Sequence, residues 1–133
     1  MLGRATLLEL LGGEPPVRVE KRRSGDVTVL TFTGEFDALS LRTVSAEIDT
    51  LVESGYTKLC FNLRLLTYIH SAALGYLIRT KNRAEERGGD LVLVQPSKFV
   101  SKTLYILGLD ELFKLFDCDV DAIDHFHDGR TET

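Results

Sequence analysis

The sequence predicts an α/β domain built on a mixed, mostly parallel β-sheet with one antiparallel edge, covered by about four helices. Three observations lead there. Short β-rich runs alternate with segments whose apolar residues recur every three or four positions. Two of the strand-like runs, 58–66 and 91–95, are apolar enough to be covered on both faces. The first two runs, 17–21 and 27–33, are joined by little more than a turn, which makes them antiparallel neighbours.

The 133 residues suit one domain over 17–126, with an N-terminal extension over 1–16 and a polar C-terminal tail over 127–133. A chain this long buries about two-thirds of its unfolded surface and needs neither disulfide nor metal to fold. A net charge of −4 argues against nucleic acid or an anionic membrane as the partner of the whole chain. No apolar run approaches the length of a membrane span, so no membrane insertion is expected. The leucine-rich start carries only Arg4 as a basic residue and no cleavage pattern, so it does not read as a signal peptide. The expected location is cytoplasmic. Cys60, in an apolar strand pattern, and Cys118, in an acidic loop, then read as two free thiols.

Taken in order, residues 5–11 (ATLLELL) form a short helix candidate, stopped by Gly12-Gly13 and Pro15-Pro16. Alone it is marginal in water, so Leu7, Leu8, Leu10 and Leu11 must pack on the domain, on a partner, or on a second copy as a homodimer. Val17–Lys21 alternates like an edge strand. Ser24-Gly25-Asp26 is a turn, with Lys21, Arg22 and Arg23 at the hairpin end. Val27–Thr33 is the next strand, and Gly34–Asp37 reads as a turn into a helix. That helix shows one apolar face through Leu41, Val44, Ile48, Leu51 and Val52, with Ser40 as N-cap and Gly55 as the stop.

Lys58–Leu66 is the central strand. A helix follows from Ser71 through Leu74, Leu77, Ile78, Lys81 and Ala84 to Gly88-Gly89. It carries Arg79, Lys81, Arg83 and Arg87 as a basic outer face. Leu91–Gln95 is a buried strand, and Pro96-Ser97 opens a helix with Phe99, Val100, Leu104, Ile106 and Leu107 on or near its inner side. Leu115-Phe116 suggests a last short strand. Asp119 or Asp121 caps a final helix through Ile123 and Phe126, with Asp124–Asp128 as a frayed polar end.

The stretch Tyr68–Tyr76 concentrates the functional interest. A strand that feeds a helix through a short turn presents backbone N–H groups at the helix mouth, where anions and regulation gather. His70 there reads as a neutral, hydrogen-bonded turn residue, because a cation at a helix N-terminus is unfavourable. No enzyme is expected, since no nucleophile, base and oxyanion set assembles. GxSxG, Walker A, HExxH and paired-cysteine patterns are all missing. No metal site and no cofactor are expected: His125 and His127, two apart, diverge on a helix, and the nearby aspartates lack calcium-loop spacing.

The run TFTGEFDALSLRTV, followed by SGYTKLCFNLRLLTYIHSAALGYLIRTKNRAEERGGDLVLVQPSKFVSKTLYILGLDELFKLF, resembles a STAS domain of the anti-sigma factor antagonist type. The most specific pieces are the Gly-x-x-Asp turn, the strand-turn-helix block, Gly88-Gly89 before a strand, and Gly-Leu-Asp before Phe. The resemblance implies a partner-switching protein. Such antagonists bind an ATPase-fold anti-sigma factor that is also a serine kinase, and a phosphate on a Ser or Thr at the helix mouth ends that binding. The family block runs Asp-Ser-Ser/Thr/Ala-Gly-Leu-Gly. Here His70 stands at its Asp, Ser71 at the next Ser, Ala72 at the acceptor and Ala73 at the Gly, while Gly75 and Asp37 are retained. Asn62 replaces a strand Asp upstream. Ala72 has no hydroxyl, so the usual phosphorylation is chemically impossible there. Ser71 is the one substitute phosphoacceptor, although it reads first as a helix cap.

The expectation is therefore a non-catalytic interaction module whose partner-binding region is Asp37, His70, Ser71, Ala72, Ala73 and Gly75. Its partner would be an ATPase-fold anti-sigma factor or another STAS protein. The alternative is a STAS accessory module that binds a small anionic ligand or a transporter component.

Overall fold

A computed structural model describes residues 16–128. The leucine-rich segment 1–15, with its expected helix and homodimer contact, and residues 129–133 lie outside the described residues. Five strands form one sheet in the order β1-β2-β3-β4-β5: Val17–Ser24, Val27–Phe36, Lys58–Ile69, Asp90–Val94 and Leu115–Phe116. Only β1 runs antiparallel to its neighbour; the other pairings are parallel. Four helices alternate with them: α1 (Ala38–Glu53), α2 (Ser71–Glu86), α3 (Lys98–Ile106) and α4 (Asp119–Asp128). Element order, parallel core and antiparallel edge agree with the sequence.

The period-two alternation of the strands divides two cores. Leu30, Phe32, Phe61 and Leu93 face the layer of α1, α2 and α3, where Ile48, Leu77 and Leu104 meet them. Val29, Cys60, Val92 and Val94 face the other way, and Ala122 of α4 covers them with help from Ile123 and Phe126. The central strands are thus covered on both sides.

Strand ends differ from the sequence reading. The residues read as turns at Gly34–Phe36 and Thr67–Ile69 are strand, because β2 and β3 go on pairing past two register shifts, with Glu35 opposite Tyr68 and Phe36 opposite Ile69. Gly34 permits this continuation. Its φ is +105°, and a Cβ there would lie 2.3 Å from the Pro16 carbonyl oxygen. Likewise β1 continues to Ser24, so Lys21, Arg22 and Arg23 belong to the edge strand itself, in its last pairs before the hairpin turn. There Arg22 pairs with Asp119 at 2.8 Å, and Arg23 lies 3.6 Å above the Tyr56 ring.

Helix α3 corrects another expectation. Val100 and Leu104, four apart, are its buried residues, while Phe99, Ile106 and Leu107 are exposed. One inward stripe on a nine-residue helix admits only that pair. The C-terminal end is not frayed at Asp124: α4 runs to Asp128, and the His125 ring lies 5.2 Å from Phe116.

Candidate functional site at the carboxyl edge of the sheet

Three helices begin at the carboxyl edge of β2, β3 and β4, and two of them are joined to their strands by a single residue. Asp37 links β2 to α1, and His70 links β3 to α2. Both are N-caps, which corrects the assignment of Ser40 and Ser71 to those roles. Asp37 Oδ1 accepts the Ser40 backbone N–H and the Ser40 hydroxyl, each at 2.8 Å. His70 Nδ1 accepts the Ala72 N–H at 3.0 Å, so that nitrogen carries a lone pair here. The strands fix the reason: each runs on until one residue before its helix, and that residue has extended backbone angles suited to a cap. The His70 N–H donates to the Phe36 carbonyl at 2.9 Å, locking the two mouths side by side.

The third mouth is capped by Ser97, as its position in the sequence implies. Its hydroxyl accepts the Val100 N–H at 3.3 Å and donates to the Leu66 carbonyl at 2.5 Å, fastening α3 to β3. Helix α2 is held against α1 by Tyr76, whose hydroxyl lies 2.6 Å from Asp49 Oδ1 and 3.1 Å from the Ser45 carbonyl. Burial first, then the Asp49 hydrogen bond, hold the Tyr76 phenol well above its usual range.

The sequence-derived site residues fall into different environments. Ser71 and Ala72 are exposed on the first turn of α2, and no side-chain hydrogen bond ties the Ser71 hydroxyl among the described residues. Asp37, His70 and Gly75 are half-buried. A Cβ on Gly75 would meet only Arg79 Nη1, at 3.6 Å, so crowding does not demand glycine there. Ala73 is wholly buried in the core and takes no part in the surface. Asn62 lies away from the mouths: its side-chain amide donates to Asp119 Oδ1 at 2.8 Å and its oxygen accepts the Arg64 N–H at 3.0 Å.

The basic outer face read for α2 is largely neutralised. Lys81 is buried, 2.5 Å from Asp90 and 3.3 Å from Glu85. Burial alone would lower the Lys81 ammonium; the Asp90 hydrogen bond and charge outweigh it and hold the group above its usual value. Arg83 pairs with Asp49 at 2.6 Å, and Arg87 donates to the Val52 carbonyl at 3.1 Å.

Sequence reasoning missed an apolar surface around the mouths. Leu39, on the first turn of α1, is 67% exposed, and Phe99, on the first turn of α3, is 45% exposed. Tyr68, at the end of β3, packs on Phe99 with ring centroids 5.6 Å apart. Large apolar groups left in solvent beside capped helix mouths suit a docking surface. The signal lay in Leu39, which is out of phase with the Leu41–Val44–Ile48 stripe. Among the described residues no group of three His, Cys, Asp or Glu side chains is placed to hold a metal, and no helix is long and apolar enough to cross a membrane.

The sequence profile of the STAS domain matches residues 18–122, which span β1 to α4. The chain belongs to the STAS domain family. It is 29% identical over 76 residues to a Thermotoga neapolitana protein named as an anti-sigma factor antagonist homologue, covering 57% of this chain and 67% of that protein. Its fold is similar to that of an anti-sigma factor antagonist from Thermotoga maritima, with TM-score 0.75, 23% identity, and 80% and 92% of the two chains covered. It is also similar to SpoIIAA, an anti-sigma factor antagonist, in its unphosphorylated form. There the TM-score is 0.73 at 22% identity, and 83% of this chain and 96% of that one are covered. The chain is thus an antagonist-like STAS domain.

Proposed function

We propose that this STAS domain is a non-catalytic interaction module of bacterial partner switching in the cytoplasm. It docks an ATPase-fold anti-sigma factor of the serine-kinase type through the carboxyl edge of its sheet, and it is not switched by phosphate at residue 72. One observation carries this reading: the exposed Leu39, Tyr68 and Phe99 stand at the carboxyl edge of the sheet, the same edge at which the first turn of α2 presents Ala72, a residue without a hydroxyl. The names of its relatives point to an anti-sigma factor as the partner, and that partner's ATPase fold and kinase activity are what the resemblance to STAS antagonists implies.

The electrostatic logic follows from the site. A phosphate at the first turn of α2 would bring up to about two negative charges onto the docking surface, favoured by the helix end but opposed to a docked partner. Ala72 offers no oxygen to carry it. The exposed Ser71 hydroxyl is the one other acceptor on that turn. The alternative, a small anion held at the mouth, is less well supported. The Ala72 N–H that would serve it is already taken by His70 Nδ1, and the Ser40 N–H by Asp37.

The test combines capture and labelling. The tagged chain should retain an ATPase-fold regulator from its native host, and the double substitution Leu39→Asp/Phe99→Asp should abolish that retention while the circular dichroism spectrum stays unchanged. With that regulator and labelled ATP, the natural chain should stay unlabelled and Ala72→Ser should become labelled. Retention untouched by the double substitution would refute the surface. Labelling of the natural chain that Ser71→Ala removes would refute the missing switch.

A further inference from the structure

Helix α3 closes firmly at its far end, away from Phe99. Gly108 takes a φ of +72°, its N–H donates to the Tyr105 carbonyl at 3.0 Å, and the Leu109 N–H donates to the Leu104 carbonyl at 2.8 Å. Those two bonds form a Schellman close, which turns Leu109 back against the core that holds Leu104. Tyr105, Ile106 and Leu107, the residues between, are left in solvent. The chain then returns to the sheet edge. Phe113 enters the core, whereas Leu112 and Leu115 stay exposed. Leu115 lies opposite Leu93, which belongs to the core under the α1, α2 and α3 layer, so Leu115 points to the same face as α3.

The exposures of these apolar side chains run from 38% for Leu112 to 72% for Tyr105. For groups of this size they add up to about 500 Å² of apolar surface on one edge. That lies toward the upper end for a single patch on a monomer, where such patches are often functional. One side of a standard protein interface covers about 800 Å², roughly 60% of it apolar, so this patch supplies the apolar content of one whole side.

Charge points to a second copy as the occupant. Lys102, one turn before Tyr105, and Glu111, just before Leu112, are both exposed, and neither forms an ion pair among the described residues. Lys114, the other cation of the stretch, already faces Asp90 at 3.6 Å. In a two-fold contact each residue of a patch meets a different residue of the same patch, so a patch carrying both signs satisfies itself twice. A patch of one sign would call for an opposite partner instead. Strand β5 has two residues, too short an edge to carry the sheet into another molecule, which leaves the contact to side chains.

We infer that the α3–β5 edge is a two-fold homodimer surface. Tyr105, Ile106, Leu107, Leu112 and Leu115 pack on the same patch of a second protomer, and Lys102 of each protomer faces Glu111 of the other. The inference does not rest on the anti-sigma factor reading.

The test is the mass of the full chain in sedimentation from about 1 to 100 µM, because interfaces of this size bind at micromolar concentration or tighter. The natural chain should reach a dimer's mass. Tyr105→Ser/Ile106→Ser should stay monomeric throughout with an unchanged circular dichroism spectrum. Lys102→Glu should raise the dimer Kd at least about tenfold, because two attractions become two repulsions. Lys102→Glu/Glu111→Lys should restore it, which a general loss of surface packing would not do. A natural chain that remains monomeric at the highest concentration overturns the proposal. A dimer untouched by the serine variant, or a charge exchange that restores nothing, overturns it as well. So does a monomer whose serine variant no longer retains an anti-sigma factor, because the patch then belongs to that partner.

Discussion

Replacing Asp37 with alanine tests how the first helix mouth is held. The side chain takes two hydrogen bonds from one residue, the N–H and the hydroxyl of Ser40, through a single oxygen. Loss of the cap from the N–H costs about 1 kcal/mol. The Ser40 hydroxyl is then left without its acceptor in a residue only 8% exposed, which adds about 1–2 kcal/mol. Asp37→Ala should therefore destabilise the domain by about 2–3 kcal/mol, a fall of roughly 10 °C in Tm for a domain of this size. Asp37→Asn keeps an oxygen in the same place and loses only the charge beside the helix end, about 0.3–1 kcal/mol. Ser40→Ala removes the hydroxyl and keeps the backbone cap, so its effect should stay near 1 kcal/mol. The double variant Asp37→Ala/Ser40→Ala should fall short of the sum of the two, because both lose the same hydroxyl contact. Urea unfolding followed by circular dichroism measures all four. If Ser40→Ala proves more damaging than Asp37→Ala, Ser40 is the cap and the placement of the helix start is wrong.

Three further outcomes follow from other parts of the molecule. At the second mouth, His70→Ala should cost about 1 kcal/mol through the lost cap, whereas Ser71→Ala should stay within about 0.5 kcal/mol, both read from the same urea midpoints. Burial pushes the Cys60 thiol up to about 12, so in the native state dithionitrobenzoate at pH 8 should count one reactive thiol, the exposed Cys118, and two only after unfolding. Lys81 is held above its ordinary value in the folded chain, so its pairing stabilises fully below about pH 10 and fades as pH rises through the raised folded value. Unfolding free energies from pH 8 to 11.5 should fall more gently in Lys81→Met than in the natural chain, and parallel slopes would contradict the pairing.

The sequence was most legible where one residue has one physical consequence. The alternation of Leu59 to Leu63 and of Leu91 to Val94 exposes two apolar faces on each strand, and only a sheet covered on both sides buries them. Gly55 and Gly88, with φ of +96° and +83°, end their helices where the sequence places the stops. The three-four spacing of Val44, Ile48 and Leu51 turned the first helix face correctly toward the core.

The caps were less legible, because local chemistry favoured Ser40 and Ser71 and the choice depends on where the strand stops. Pairing of Glu35 with Tyr68 and Phe36 with Ile69 carries both strands three residues farther, and that leaves Asp37 and His70 as the only residues between strand and helix. A sheet register is a relation between distant segments, and neither segment records it alone. Lys81 divides in another way: its spacing from Leu74 and Leu77 puts it on the inner stripe, and only the fold brings Asp90 of the next strand to pair with it there.

At the helix mouth the division is clean. Composition alone determined that residue 72 is alanine and carries no hydroxyl, because covalent chemistry does not depend on the fold. The tertiary structure alone decided that Leu39, Tyr68 and Phe99 share the edge where Ala72 is presented, because three helices start side by side only once parallel strands align their ends.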